Sequence, residues 1–176
     1  MKKSLLIMTI LLLTICCVGC GSASKSEAKQ EKQAAPTQTN AQAQGQSIYA
    51  DVGKKIIKID LTGNSSSAAL LKMLETKNVT IDMHDFGNFE KVGELGFTLP
   101  RNDEEISTDQ GDVILYQGSR FVIYYDKNQW NFTRLGRVSK EDNHDLKGLF
   151  GPGNITCTLI TQNRLEEYKK TKGNKK

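Results

Sequence analysis

The chain has 176 residues, 38% of them hydrophobic and 25% charged, with four cysteines and a formal net charge of +4. That length allows one domain with a sizeable core and no need of a covalent staple. The positive excess lies outside the foldable body: residues 46–163 hold 13 Lys and Arg against 16 Asp and Glu, a net charge of −3, which excludes the basic body of a nucleic-acid binder.

Met1, Lys2 and Lys3 make a short positive start, and residues 5–18 form an uncharged apolar run. The run is shorter than the roughly 20 residues that span a bilayer, so it reads as a secretory signal over residues 1–19. Its end, "CCVGCG", resembles the bacterial lipoprotein signal, in which a small residue (here Gly19) precedes the lipidated cysteine. The resemblance implies lipidation of Cys20 and anchoring in the bilayer on the extracytoplasmic side of a bacterial membrane. Cys16, Cys17 and Cys20 belong to that signal, which leaves Cys157 alone in the body and no intrachain disulfide. Residues 20–47 follow. From Gly21 to Ser47 they contain no aromatic residue and no Leu, Ile, Val or Met, and such a stretch cannot offset the entropy of ordering. It reads as a disordered tether with an end-to-end distance of roughly 30 Å.

The domain itself is expected over residues 48–163. "KKIIKIDL" (54–61) alternates like a half-buried strand. Asn64 and three serines can cap a helix in which Ser67, Leu70, Leu71 and Leu74 share a face. "VTIDM" (79–83) puts Val79, Ile81 and Met83 on one side of a strand. Residues 84–100 suggest short strands joined by glycine turns, and "NDEEISTDQGD" a polar excursion. "VILY" and "RFVIYY" flank Gln117-Gly118-Ser119 as a hairpin, and "WNFTRLGRV" is the next strand. Ser139 with Asp142 resembles a capping pair for a brief helix ending at Leu149-Phe150. "NITCTLIT" closes the domain, with Ile155, Cys157 and Leu159 on one face and Cys157 a buried small hydrophobe. Residues 164–176 form a basic tail, read as a solvated end. The total is a mainly β domain of about eight strands and two short helices, a number of strands that closes a barrel.

The order of these pieces resembles the bacterial cyclophilin-like domain, a small β-barrel related in fold to the cyclophilin prolyl isomerases. An early strand, the helix "SSSAALLKMLET", the hairpin "GDVILYQGSRFVIYY", the strand "TRLGR", a short helix and the final "NITCTL" carry the resemblance over about residues 54–160. It implies a closed barrel, with a peptide groove or prolyl isomerase activity as possible functions. Isomerisation needs no nucleophile: an arginine beside an aromatic pocket lowers the roughly 20 kcal/mol barrier by stabilising the twisted amide. In the isomerases that arginine sits in a Phe-His-Arg segment before a glycine-rich turn. No such segment occurs here. The expected function is therefore a non-catalytic module binding a peptide or small ligand, with a weak prolyl isomerase using Arg134 as the alternative.

The candidate groove residues are Tyr116, Tyr124, Trp130, Phe132 and Arg134. Trp130, Phe132 and Arg134 share a strand face. Facing inward, the aromatics are core and Arg134 lies at the rim; facing outward, they form an aromatic-basic ligand surface, and the first arrangement is favoured. Tyr124 and Tyr125 must point to opposite faces. His84-Asp85 lacks the partners of a zinc site, and no G-x-S-x-G, H-E-x-x-H or phosphate-cradling loop occurs, so neither metal nor cofactor is expected.

Overall fold

A computed structural model describes residues 45–174. The signal over residues 1–19, Cys20 and almost all of the tether lie outside the described residues. The elements run β1 (Ser47–Asp51), β2 (Ile56–Leu61), α1 (Ser65–Thr76), β3 (Val79–Phe86), β4 (Glu90–Glu94), β5 (Glu104–Thr108), β6 (Asp112–Tyr116), β7 (Arg120–Tyr124), β8 (Asn128–Val138), α2 (Leu146–Phe150), β9 (Ile155–Thr161) and α3 (Gln162–Gly173).

All strand pairs are antiparallel, in the order β2-β1-β9-β3-β4-β7-β6-β8, and β2 pairs again with β8. That last pairing closes an eight-stranded barrel and removes its edges. The ninth strand, β5, stands outside the ring and pairs with the N-terminal half of β8, from Glu104↔Phe132 to Thr108↔Asn128. The polar excursion expected at residues 102–112 thus contains a strand. Its exposed acidic side chains hid it, because only Ile106 and Thr108 are buried.

Period-2 alternation fills the interior. Ile57 and Ile59 of β2, Ile81 and Met83 of β3, Phe121 and Ile123 of β7, and Cys157 and Leu159 of β9 all join one buried cluster. Asn64 caps α1: its side chain accepts from the Ser67 amide at 2.9 Å while Ser67 Oγ accepts from the Asn64 amide. Leu70 and Leu74 of that helix join the same core. Asp145 caps α2 by accepting from the Gly148 amide at 2.8 Å, so the Ser139–Asp142 pair is a preceding turn and not the cap.

The barrel closes where β8 meets β2, and Gly136 sits at that seam opposite Leu61. A Cβ there would fall 2.3 Å from the Asp60 carbonyl oxygen. In the β6–β7 hairpin, Gln117 (φ 51°) and Gly118 (φ 80°) both take positive φ, as a tight connection between twisted strands requires.

Two expectations need correction. The domain has three helices and not two, because residues read as a solvated tail form α3. Leu165 of α3 is buried, and the Tyr168 hydroxyl donates to Asp51 at 2.8 Å while Lys172 pairs with the same carboxylate. Tyr168 and Lys172 thus anchor what looked like a soluble end. The other correction concerns β8 and bears on the site.

Candidate functional site

The runs "VILY" and "FVIY" are apolar at every position because both of their faces are covered. Val113, Leu115, Phe121 and Ile123 point into the barrel. Ile114, Val122 and Tyr124 point outward and form a second buried cluster with Val92, Ile106 and Phe132. The N-terminal half of β8 and its partner β5 extend beyond the ring, and supply Phe132 and Ile106 to this outer cluster.

Between this arm and the barrel wall lies a groove of about 670 Å³, within the range of small-molecule and peptide-side-chain sites. Its base is Val92, Val122 and Tyr124, and Phe132 and Trp130 of β8 bound one side. Phe86 and His84 of β3 bound the other, while Tyr116, Arg120 and Glu94 lie at one end. The aromatics are mutually packed. Tyr124 lies 5.8 Å from Phe132 and 6.2 Å, stacked, from Phe89, whose edge meets Phe86 at 5.8 Å; Tyr116 meets Phe132 at 6.0 Å. Trp130 and Phe86 are the exposed large hydrophobics of the described residues, at 62% and 56%, and both line the opening.

Three charged groups face this apolar surface. Arg120 Nε donates to Glu94 Oε1 at 2.7 Å, and its guanidinium lies 5.8 Å from the Tyr116 ring. Arg120 holds the Glu94 carboxyl below its ordinary range. Glu90 differs: it is only 8% exposed. Burial pushes its carboxyl above the ordinary range, and hydrogen bonding with the Tyr124 hydroxyl only partly opposes that. The same hydroxyl accepts from Asn128 Nδ2 at 3.2 Å.

Residues 50–159, more than half of the chain, match the Cyclophilin-like family. The chain belongs to that family. The solution structure of the hypothetical protein AF2241 from Archaeoglobus fulgidus is similar in fold, with a TM-score of 0.52 at 10% identity over 67% of this chain and 95% of that one. No curated protein matches the sequence.

Within this cyclophilin-like barrel, four expected groove residues come together: Tyr116, Tyr124, Trp130 and Phe132 all line the cavity. Arg134 does not. It faces the same side of β8 but pairs with buried Asp112 of β6, which Arg137 also approaches at 3.1 Å. The favoured inward placement of Trp130 and Phe132 is corrected too. Trp130 is exposed, and Phe132, though 4% exposed, is buried in the outer cluster. The cause is a bulge: Val113 faces Gly136 but Ile114 faces Arg134, so Leu135 is the extra residue. Leu135 and Val138 then both serve the interior, and residues 128–132, paired with β5 beyond the ring, have no barrel interior to face.

Sequence reasoning missed Glu90, His84, Phe86 and Arg120. A signal existed in "EKVGE". Lys91 and Gly93 are the inward positions of β4, which leaves Glu90, Val92 and Glu94 on the groove side. An alternation with the charged lysine inside is the reverse of the ordinary reading of a strand.

Proposed function

We propose that this cyclophilin-like domain is a non-catalytic binding module for a peptide or small ligand, held on the outer side of a bacterial membrane by lipid on Cys20. The observation that carries the binding reading is the outer-face groove, with stacked aromatics at its base and exposed Trp130 and Phe86 at its mouth. Apolar ligand area would be removed from water against preformed walls, at little ordering cost. The anchoring rests on "CCVGCG" and the apolar run before it, and the spacer rests on the composition of residues 21–47.

A prolyl isomerase would need a guanidinium free to approach an amide nitrogen. Arg134 is engaged by Asp112 away from the groove, and Arg120 at the groove's end is engaged by Glu94. These pairings favour binding over isomerisation. Titration of the full chain with proline-containing and generic hydrophobic peptides tests this directly. Binding that shifts Trp130 emission without accelerating cis–trans exchange supports the proposal. Exchange well above buffer that falls on substitution of Trp130, Phe132 or Arg134 overturns it. Mass spectrometry of the mature N-terminus tests the anchor, which requires a diacylated or triacylated Cys20 as first residue.

A further inference from the structure

We infer that the groove takes an organic cation, an ammonium group on an apolar stem, with Glu90 as its counter-ion; this rests on the reading of the groove as a binding site. The two carboxylates on its wall are not equivalent. Glu94 is neutralised by Arg120 at 2.7 Å and lies in solvent. Glu90 is buried in the groove wall and, among the described residues, forms no ion pair with any Lys, Arg or His. A buried carboxylate without a cation is costly, and the groove in front of it is where a cation can enter.

The surroundings select the kind of cation. Phe86, the cross-strand partner of Glu90, and Trp130 present exposed rings to the groove, and aromatic faces attract organic cations through their quadrupoles. Such walls suit an ammonium carried on methylenes or a ring, whose stem also gains from contact with Val92 and Val122. A bare metal ion is poorly served. Among the described residues no three His, Cys, Asp or Glu converge as ligands. An anion would face Glu90 directly, and a neutral ligand would cover it without compensation. The burial that raises the Glu90 carboxyl is the same burial that a bound ammonium would offset. A lysine side chain of a peptide and a free amine share this chemistry.

The test compares cation and neutral isostere on the full chain in nanodiscs, read by the emission of its only tryptophan, Trp130. One pair is phenethylammonium and 2-phenylethanol; the other is N-acetyl-lysine N-methylamide and its norleucine counterpart. The expected result is at least a tenfold preference for the cation in one pair. Preference in the lysine pair identifies a peptide side chain, and preference in the amine pair alone identifies a free amine. Glu90→Gln should abolish the preference, the cation losing at least tenfold relative to the neutral probe. Equal affinity for both members of both pairs in the wild-type chain overturns the cation inference and leaves a binding site standing. A preference that survives in Glu90→Gln overturns the role of Glu90. No binding of any probe at millimolar concentration overturns both the cation and the binding reading. The wild-type comparison decides the matter even if Glu90→Gln does not fold.

Discussion

Lys91 Nζ stands 2.7 Å from Asp85 Oδ2, and no part of the lysine side chain is exposed. Its two remaining donors reach the carbonyls of Gly151 at 2.8 Å and Gly153 at 2.7 Å, while the Tyr125 hydroxyl donates to Asp85 at 2.6 Å. An inward lysine at position 91 is thus fully hydrogen-bonded, and it ties the β3–β4 hairpin to the turn after α2. The inward orientation also puts Glu90 on the groove face.

Lys91→Met should destabilise the domain by roughly 3 kcal/mol in urea unfolding, because one member of a buried pair is removed and two carbonyls lose their donor. The loss should depend on pH. The Lys91 hydrogen bond, and after it that of Tyr125, hold the Asp85 carboxyl below its ordinary value of 3.8. Its contribution is therefore complete above that value and fades as pH falls through the depressed folded value. The gap between wild type and Lys91→Met should be constant near neutrality and narrow in acid. A gap unchanged down to the acid unfolding limit would refute the pairing.

Gly136→Ala should cost about 1–3 kcal/mol through overpacking. The added Cβ meets backbone, the Asp60 carbonyl at 2.3 Å, and no rotamer change can move that atom away. Because the clash falls on the β2–β8 seam, hydrogen exchange in the variant should rise first at residues 59–61 and 136–138. Uniform loss of protection would mean that the seam is not the weak line of the barrel.

Much of the barrel was legible because its interior obeys simple periods. Val79, Ile81 and Met83, the two runs flanking Gln117-Gly118-Ser119, and the α1 stripe all appear where alternation and capping chemistry put them. The groove was legible in its aromatic members and not in its polar ones. Trp130 and Phe132 stand out by residue type, whereas their direction depends on a bulge at Leu135 set by pairing with β6. Arg134 matched them in parity, yet its charge is engaged by Asp112, 22 positions earlier in the chain. Strand β5 and helix α3 were hidden for one reason: each buries so few side chains that its sequence is that of a solvated segment.

Glu90→Gln should stabilise the folded domain at neutral pH. Desolvation raises the Glu90 carboxyl above its ordinary value of 4.5, with Tyr124 opposing the shift in part. A raised folded value means that ionisation disfavours the fold, so the penalty is absent below the ordinary value and complete above the folded one. The other charged or titratable groups on that face are His84, Tyr116 and the Glu94–Arg120 pair. The amide variant should melt higher at pH 7 and match the wild type in acid. A lower melting temperature at pH 7 would show that ionised Glu90 is already compensated.

Cys157 should resist alkylation in the folded chain. Its side chain is wholly buried on the inward face of β9, and burial, with a smaller contribution from the Asp51 charge, pushes its thiol up to about 12. Peptide mapping after iodoacetamide treatment should find residue 157 unmodified until denaturant is added. Rapid labelling under native conditions would mean that β9 leaves the barrel wall readily, which its pairing with both β1 and β3 argues against.

Trp130 and Phe132 lie two residues apart on one face, yet they should respond unequally to truncation. Phe132 is 4% exposed and contacts Tyr116 and Tyr124, so Phe132→Ala leaves a hole beneath the groove and should cost about 3–5 kcal/mol. Trp130 is 62% exposed at the groove's opening, and Trp130→Ala should change stability by no more than about 0.5 kcal/mol. Tryptophan emission of the wild type should be red-shifted and readily quenched by acrylamide, then move to the blue as a ligand covers the ring. Equal and large losses from both truncations would place the two rings in one closed core and leave no open groove to fill.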